Sequence, residues 1–355
     1  MTNPLHDDID GVLARTSALW DELRDGRVFI TGGTGFFGCW ILETLLWAND
    51  RQGLNVQATV LTRNPRAFEQ KAPYLARHSA ISLLSGDVRN FSFPKGRFSH
   101  VIHAATQSSA KLNREEPALM FDTIVEGTRR CLEFAVASGA EKFLLTSSGA
   151  VYGPQPPDVA HLPESYAGSP DALDPTSAYG EGKRAAEMLC ALASQATGLE
   201  TKIARCFAFA GPYMELEAHF AIGNFIRDQL NGGPIRVQGD GTPYRSYMYA
   251  GDLMTWLWTI LFRGKSGRAY NVGSEDAISI RDLAYAVADA CSPRVDVEIL
   301  GTPTGGAPAQ RYVPSTARAR LELGLTAEVP LRKTIQRTQS WFPGKHAARL
   351  QEVAR

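Results

Sequence analysis

The chain lacks a long hydrophobic run and lacks an excess of charge of one sign. Its 355 residues include 37 basic and 37 acidic side chains, so the formal net charge is +0 and nothing points to a nucleic-acid partner. The longest apolar run, Leu253 to Phe262, is far shorter than the ~20 residues that span a bilayer, and we interpret it as a buried helix. These absences favour a protein without a membrane segment whose partners are small molecules.

Cysteine is also scarce, and the cysteines that are present do not form a recognisable pattern. They show no CxxC pair and no association with histidine at the spacing of a metal site. The five positions are Cys39, Cys131, Cys190, Cys206 and Cys291. We interpret them as reduced structural thiols and expect no metal. The first residues are acidic and lack the basic and apolar regions of a secretory signal, so we expect a cytoplasmic protein.

Apolar runs and helical segments alternate along the chain. Alternation of this kind predicts an α/β fold, a Rossmann-type doubly wound parallel sheet with a smaller C-terminal α/β substrate lobe. The predicted strands lie at 27–30, 56–62, 81–88, 100–106, 142–148 and 201–207. Two of the longer helices are expected at 120–137 and 179–196.

Changes in amino-acid composition and hydrophobic pattern suggest where the domains divide. Residues 1–26 read as a helical leader and 27–205 as a dinucleotide-binding domain. Glycine and proline then become frequent, so 206–341 is expected to be mainly a substrate-binding lobe. A segment near 269–274 is expected to return to the main sheet, and 342–355 reads as a basic tail.

The segment TGGTGFFG, residues 31–38, lies between a short strand and a helix. Gly32, Gly35 and Gly38 follow the spacing GxxGxxG, which suits a tight turn, a close approach to a pyrophosphate and close packing of helix on strand. The helix N-terminus supplies free N–H groups to the phosphates. We therefore predict a nicotinamide dinucleotide site that includes Thr31, Phe36 and Phe37.

Two residues beyond this turn bear on the choice of dinucleotide. Arg63 ends the second predicted strand, where NAD-preferring enzymes commonly place an acid. Its guanidinium could bind a 2′-phosphate, which slightly favours NADP over NAD as the cofactor. A solvated arginine without a ligand is the alternative. Asp87 follows the third strand and could accept a hydrogen bond from the adenine amino group, or simply form a turn.

Tyr179 and Lys183 form a YxxxK pair one helical turn apart. An isolated phenol has a pKa of ~10, and an adjacent ammonium favours the phenolate, so we expect Lys183 to tune Tyr179 for proton exchange. The fifth strand ends in Ser147 and Ser148, at the edge where a parallel sheet presents ligand-binding residues. We favour Ser148 as the hydroxyl that holds the reacting oxygen; capping of the strand is the alternative.

Taken in order, these motifs resemble the extended short-chain dehydrogenase/reductase family, which includes sugar-nucleotide epimerases and dehydratases. The resemblance rests on TGGTGFFG, HAA at 103–105, SSGAVYG at 147–153, YGEGK at 179–183 and RCFAFAGP at 205–212. It implies a nucleoside-diphosphate sugar substrate and a catalytic triad of Ser148, Tyr179 and Lys183. It also implies a homodimer built from the helices at 120–137 and 179–196.

The same resemblance implies further binding residues. Val88, Ala104 and Ala105 would line the cofactor. Ser147, Asn224, Arg245 and Arg311 would bind the substrate, the last three at its diphosphate. A helix-capping role for Asn224 and surface ion pairs for the two arginines are the alternatives.

The sequence departs from the family's dehydratases and decarboxylases directly after Ser148. Those enzymes carry acidic residues there, whereas Gly149 and Ala150 can neither give nor accept a proton. We therefore favour chemistry at one carbon, C4, over the 4,6-dehydratase and decarboxylase readings. Arg63 favours reduction of a 4-keto sugar, and 4-epimerisation through a transient ketone is the alternative. An idle protein that only senses NADP is a different reading, disfavoured because the whole triad is present.

Overall fold

A seven-stranded parallel sheet forms the centre of the molecule. The computed structural model describes residues 3–106, 110–218, 220–290, 294–302 and 308–342. The central strands are β1 (Arg27–Thr31), β2 (Gln57–Thr62), β3 (Ile81–Ser85), β4 (His100–His103), β5 (Lys142–Ser148) and β6 (Glu200–Cys206). The later strands are β7 (Phe209–Ala210), β8 (Ile235–Val237), β9 (Tyr244–Arg245), β10 (Met248–Tyr249), β11 (Arg268–Val272), β12 (Ile278–Ser279), β13 (Val297–Ile299) and β14 (Arg311–Tyr312).

The strand order is β3-β2-β1-β4-β5-β6-β11, and every pairing in this sheet is parallel. The chain therefore reverses direction across the sheet between β1 and β4, and a crevice for ligand opens at that point. The predicted doubly wound sheet is confirmed. The segment Arg268–Val272 pairs with β6 as the seventh strand.

Helices cover both faces of the sheet, as the near-continuous burial of its strands requires. The first half of the chain contributes α1 (His6–Thr16), α2 (Phe36–Gln52), α3 (Pro65–Lys71), α4 (Pro73–Ala76), α5 (Ala110–Glu115) and α6 (Pro117–Ala137). The second half contributes α7 (Ala178–Thr197), α8 (Ala221–Leu230), α9 (Ala250–Arg263), α10 (Ile280–Asp289), α11 (Ala317–Leu323) and α12 (Leu331–Trp341).

Two apolar cores separate these layers. One lies under α2 and α9, and the other lies under α6 and α7. The predicted buried helix is α9, in which every residue from Ala250 to Phe262 is buried. The leader helix α1 packs on α9, and Arg15 forms an ion pair with the fully buried Asp252 at 2.7 Å.

The C-terminal region adds small sheets beside the carboxyl edge of the main sheet. A third apolar core lies among α8, α10 and α12. Strand β9 pairs with β14 in parallel, which sets Arg311 opposite Tyr244 and Tyr312 opposite Arg245. This pairing brings two arginines, distant in sequence, onto neighbouring strands.

The remaining expectations concern thiols and the membrane. Cys39, Cys131, Cys190 and Cys206 are buried, and burial raises the pKa of Cys131 and Cys190 well above the ordinary range, so both remain neutral thiols. Cys291 and the tail beyond residue 342 lie outside the described residues. Among the helices that the structure describes, none has both the length and the apolar character needed to cross a bilayer.

Candidate active site

The glycine-rich turn is packed too tightly to accept side chains at two positions. A Cβ atom on Gly32, whose φ is +71°, would lie 2.3 Å from the Ala104 carbonyl oxygen, and one on Gly38 would lie 2.3 Å from the Gly32 carbonyl oxygen. A Cβ atom on Gly35 would meet only the Gly32 oxygen, at 3.4 Å. Helix α2 starts after Gly35 with no side-chain cap among the described residues. Its first N–H groups therefore face an open cradle suited to a diphosphate.

The aromatic pair after the turn and a buried histidine beside it support this cradle. Phe37 packs edge-on against Phe209 with ring centroids 5.2 Å apart, so its contribution to a cofactor site would come from its backbone. His103 lies between Thr31 at 2.7 Å and Thr128 at 3.1 Å. Burial lowers the pKa of His103 to about 3, so the ring is neutral.

The tautomer of His103 follows from its neighbours. The Thr128 hydroxyl donates to the Ile124 carbonyl at 2.7 Å, which leaves it to accept from Nε2–H of His103. The Nδ1 atom then accepts from the Thr31 hydroxyl, whose oxygen also accepts the Ala105 N–H at 3.2 Å. This series of hydrogen bonds fixes the end of β1 to the loop after β4, beside the cradle.

The predicted adenine end of the cofactor site contains an exposed arginine, Arg63, and a carboxylate, Asp87, that is bound by Arg89. Arg63 is exposed after β2, and within the described part of the chain its guanidinium forms no hydrogen bond or ion pair. Asp87 accepts two hydrogen bonds from the Arg89 guanidinium, at 2.9 and 3.1 Å, which lower the pKa of its carboxyl group. Arg63 lowers that pKa further, by a smaller amount, and Val88 is buried in the core.

Ser148, Tyr179 and Lys183 are brought together at the carboxyl end of β5. Ser148 is the last residue of β5, and its hydroxyl oxygen accepts the Ala150 N–H at 3.1 Å. Tyr179 lies in the first turn of α7, and Ser148 acts to lower the pKa of its phenol. The Lys183 ammonium donates to the Thr146 carbonyl at 2.6 Å and to the Thr106 hydroxyl at 2.9 Å. It lies 5.9 Å from the centroid of the Tyr179 ring.

Burial governs the protonation of this cluster. It raises the pKa of Tyr179 to about 12, although Ser148 acts in the opposite direction. It also lowers the pKa of Lys183 to about 8. The Lys183 ammonium is bound to Thr146 and Thr106, so its predicted effect on the phenolate of Tyr179 stays a prediction. The phenol is protonated at neutral pH and can act as a proton donor.

Ser147 is directed elsewhere. Its hydroxyl donates to the Glu187 carboxylate at 2.5 Å, and Glu187 also forms an ion pair with Arg205 at 2.7 Å. Arg205 in turn donates to the Tyr152 hydroxyl at 2.9 Å. The structure therefore places Ser147 in an internal polar network. Its role in substrate binding stays a prediction.

The two predicted diphosphate arginines lie on neighbouring strands, and each guanidinium faces a different tyrosine ring. The Arg311 guanidinium stacks over Tyr244, 4.5 Å from the ring centroid, and Arg245 donates to the Tyr244 carbonyl at 2.8 Å. The Nε atom of Arg311 is buried and has no hydrogen-bond partner among the described residues. A buried donor left without a partner costs about 1–3 kcal/mol, which an anionic ligand would recover. Asn224, on α8, accepts a hydrogen bond from Arg227 at 3.2 Å.

Sequence reasoning missed Tyr312. It lies on β14, burial raises the pKa of its phenol, and its ring packs on Phe207 with centroids 4.6 Å apart. A Cβ atom on Gly149 would lie 2.7 Å from both the Tyr312 hydroxyl oxygen and the Phe207 ring. The two aromatic rings thus occupy the space beside Ser148 into which a side chain at position 149 would extend. No local motif marks Tyr312, apart from its position next to Arg311.

With this geometry in hand, the chain can be compared with known proteins. It belongs to the NAD dependent epimerase/dehydratase family, whose model matches residues 28–273. The predicted family resemblance is confirmed. Among curated proteins, the chain is 30% identical to UDP-glucuronic acid decarboxylase 6 of Arabidopsis thaliana over 307 residues, 86% of each chain.

Solved structures agree on the fold. A dTDP-glucose 4,6-dehydratase from Streptomyces venezuelae, with NAD and TYD bound, superposes with a TM-score of 0.77 at 23% identity, covering 91% of this chain and 98% of that one. A UDP-N-acetylglucosamine 4-epimerase from Methanobrevibacter ruminantium gives a TM-score of 0.78 at 20% identity, covering 91% and 99%. The family depends on NAD, and the cradle formed by Gly32, Gly35 and Gly38 fits a dinucleotide diphosphate.

The contrast between Gly35 and Gly38 tests this fit. We expect Gly35→Ala to leave the free energy of unfolding within about 1 kcal/mol of wild type, because its Cβ has space and its φ of −82° suits alanine. The new methyl group should obstruct the diphosphate and weaken dinucleotide binding at least about tenfold. Gly38→Ala should instead destabilise the fold. Urea unfolding and calorimetric titration with NAD and NADP measure both effects; unchanged affinity in Gly35→Ala would place the diphosphate elsewhere.

Proposed function

We propose that this protein is an NAD(P)-dependent oxidoreductase that acts at C4 of a nucleoside-diphosphate sugar, and that it reduces a 4-keto sugar. The observation that carries the proposal is the space beside Ser148. Tyr312 and Phe207 crowd the space beside Gly149, the position at which the resemblance leads us to expect an acid in dehydratases and decarboxylases. The site therefore offers acid–base chemistry at one carbon, through Tyr179 and Ser148.

Charge supports a diphosphate-linked substrate. Arg245 and Arg311 lie around Tyr244, and the buried Nε of Arg311 lacks an acceptor among the described residues. A nucleoside diphosphate carries about two negative charges that two guanidinium groups can bind. The named relatives act on UDP- and dTDP-linked sugars, which is consistent with this assignment. Asn224 remains a predicted contact of the same group.

Tyr179, Ser148 and Lys183 have separate roles in the proposed reaction. The cofactor, when bound in the glycine cradle, supplies hydride to the C4 carbon. Tyr179 donates its proton to the C4 oxygen, so that the ketone becomes an alcohol. Ser148 acts to lower the pKa of Tyr179 and would stabilise the phenolate that results. Lys183, held by Thr146 and Thr106, adds a positive charge near that phenolate and can bond the cofactor ribose.

Two observations favour reduction over epimerisation. Tyr179 is protonated at neutral pH, which is the form needed to donate to a ketone. Arg63 is exposed after β2 and forms no hydrogen bond or ion pair among the described residues, as expected of a residue that binds the 2′-phosphate of NADP. Epimerisation at C4 through a transient ketone would use the same three residues and is the alternative.

The proposal predicts the outcome of one reaction. Purified protein, NADPH and a nucleoside-diphospho-4-keto-6-deoxy sugar should consume NADPH, followed at 340 nm, in proportion to a 4-hydroxy product identified by NMR. Tyr179→Phe should lower kcat by at least about 100-fold, because it removes the proton donor, while dinucleotide affinity stays within about twofold. Tyr285→Phe, an exposed tyrosine on α10, is the matched control.

Other outcomes of that reaction are informative. Interconversion of two C4 epimers without net use of NADPH would establish the epimerase instead. Dinucleotide binding without turnover of any nucleotide sugar would support the idle sensor and overturn the proposal.

Cofactor selection depends on Arg63. We expect Arg63→Ala to weaken NADP binding about 10- to 100-fold, as loss of a charge-assisted contact with the 2′-phosphate, while NAD binding changes by less than about twofold. Titration of each dinucleotide measures the ratio. Arg77→Ala removes another exposed arginine, beyond α4, and should change neither affinity. Equal losses for NAD and NADP in Arg63→Ala would show that Arg63 does not select the 2′-phosphate.

We also propose a homodimer formed through α6 and α7. The two helices pack against each other and expose Phe121, Met188 and Leu192, with 36%, 61% and 53% of their surface accessible. Met188 and Leu192 are four residues apart and share a helix face. Met188→Glu should convert a dimer to a monomer, because it would bury an unpaired charge, as measured by light scattering. Leu321→Glu, 82% exposed on α11, is the control, and a wild-type monomer would refute the assignment.

A further inference from the structure

The first turn of α7 is held by a side chain from another helix. Helix α7 begins after Ser177, whose backbone is already helical and whose side chain forms no capping hydrogen bond with the described residues. The Asn113 side chain, on α5, provides the cap instead. Its oxygen accepts the Tyr179 N–H at 3.0 Å, and its amide nitrogen donates to the Thr176 carbonyl at 2.6 Å. A distant residue therefore caps the helix that carries Tyr179 and Lys183.

The two partners fix the orientation of the Asn113 amide. An N–H group only donates and a carbonyl oxygen only accepts, so the side-chain oxygen faces Tyr179 and the amide nitrogen faces Thr176. Tyr179 is the second residue of α7, and the N–H groups of the second and third residues are those that a capping side chain ordinarily satisfies. The contact has the pattern of a helix cap, although 66 residues separate Asn113 from Tyr179.

We infer that Asn113 is a positioning residue, which fixes the first turn of α7 and thereby places the Tyr179 phenol. The inference rests on the proposed reduction at C4, in which Tyr179 donates a proton to the C4 oxygen. Asn113 contacts the backbone of Tyr179 and acts on the reaction only through that residue. It neither gains nor loses a proton.

A second residue holds α7 one turn further along. Thr106, in the connection between β4 and α5, accepts a hydrogen bond from the Lys183 ammonium at 2.9 Å. Lys183 lies four residues after Tyr179, so the two contacts act on successive turns of the helix. Thr106 and Asn113 together restrain both the position and the rotation of the start of α7.

The connection that contains Thr106 also contacts the glycine-rich turn. The Ala105 N–H donates to the Thr31 hydroxyl at 3.2 Å, and a Cβ atom on Gly32 would lie 2.3 Å from the Ala104 carbonyl oxygen. Residues 104–106 therefore contact both the proposed dinucleotide cradle and α7. Asn113, which follows them on α5, adds the contact with the residue that donates the proton.

Placement of Tyr179 matters because its proton and the hydride must reach the same carbonyl group. A misplacement of about 1 Å at a reacting group can lower a rate by about 100-fold. Helix ends fray when their first N–H groups lack partners, and the Tyr179 side chain extends from this first turn. Loss of the cap should therefore slow the chemical step more than it weakens binding of sugar or cofactor.

Two substitutions at Asn113 test the inference. Asn113→Ala removes both hydrogen bonds, and we expect the single-turnover rate of NADPH oxidation by a nucleoside-diphospho-4-keto-6-deoxy sugar to fall about 10- to 100-fold. Asn113→Asp keeps an acceptor for the Tyr179 N–H and should retain that rate within about threefold. The KM for the sugar nucleotide and the affinity for NADPH should stay within about twofold in both variants.

Asn49→Ala is the matched control. Asn49 lies in the last turn of α2, and its side-chain oxygen accepts the Val56 N–H at 2.9 Å, so the substitution removes a hydrogen bond of the same kind away from the site. We expect it to lower the free energy of unfolding, as Asn113→Ala does, and to leave the single-turnover rate unchanged. A similar loss of rate in Asn49→Ala would assign the effect of Asn113 to general destabilisation and overturn the inference.

A double-mutant cycle shows whether Asn113 acts through Tyr179. In a Tyr179→Phe background, Asn113→Ala should cause no further loss of the remaining rate, because the proton donor that it positions is already absent. An equal loss in both backgrounds would mean that Asn113 acts by another route, contrary to the inference.

Hydrogen exchange measures the cap without any substrate. The Tyr179 amide should exchange with solvent faster in Asn113→Ala than in wild type, and at the wild-type rate in Asn113→Asp. Equal exchange in Asn113→Ala and wild type, or faster exchange with no loss of single-turnover rate, would overturn the inference and leave the proposed function intact. A wild-type protein that reduces no nucleotide-linked 4-keto sugar would refute the proposed function, and the role of Asn113 in the reaction would fail with it.

Discussion

The burial of the Lys183 ammonium is the constraint on which the site depends. A buried ammonium is costly unless fixed acceptors replace water, and here the Thr146 carbonyl and the Thr106 hydroxyl do so. These two contacts tie α7 to β5 and to the loop after β4. Because Tyr179 lies one turn before Lys183 and Ser148 two residues after Thr146, the same contacts also set where phenol and serine meet.

Some polar groups around the Lys183 site are bound by other residues of the protein, whereas others remain available to ligands. Asp87 is paired with Arg89, and Ser147 is bound to Glu187. By contrast, within the described residues the Arg63 guanidinium and the Nε atom of Arg311 have no hydrogen-bond acceptor, and Arg63 acts on Asp87 only by its charge. Arg63 therefore lies at the predicted adenine end of the cofactor site, and Arg311 lies at the proposed diphosphate end of the substrate site. Both are cations that could bind an anionic ligand.

Between those ends the reacting centre consists of hydroxyl groups. A Cβ atom on Gly149 would lie 2.7 Å from the Tyr312 hydroxyl oxygen and from the Phe207 ring, so a side chain there would displace one of them. Phenols and a serine can exchange or orient one proton. The proposed reduction at C4 depends on these groups, in a family that includes proteins named as decarboxylases, dehydratases and epimerases.

The sequence by itself determined the features that depend on neighbouring residues. The glycine turn, the alternation of strands and helices and the four-residue spacing of Tyr179 and Lys183 are all local patterns, and each appears as expected. Tertiary structure alone decided the rest. The pairing of β14 with β9 joins segments far apart in the chain, and the protonation of Tyr179 follows from burial, which no local pattern encodes. Burial and long-range contacts arise only when distant segments pack together, so the protonation state of Tyr179 could not be predicted from sequence.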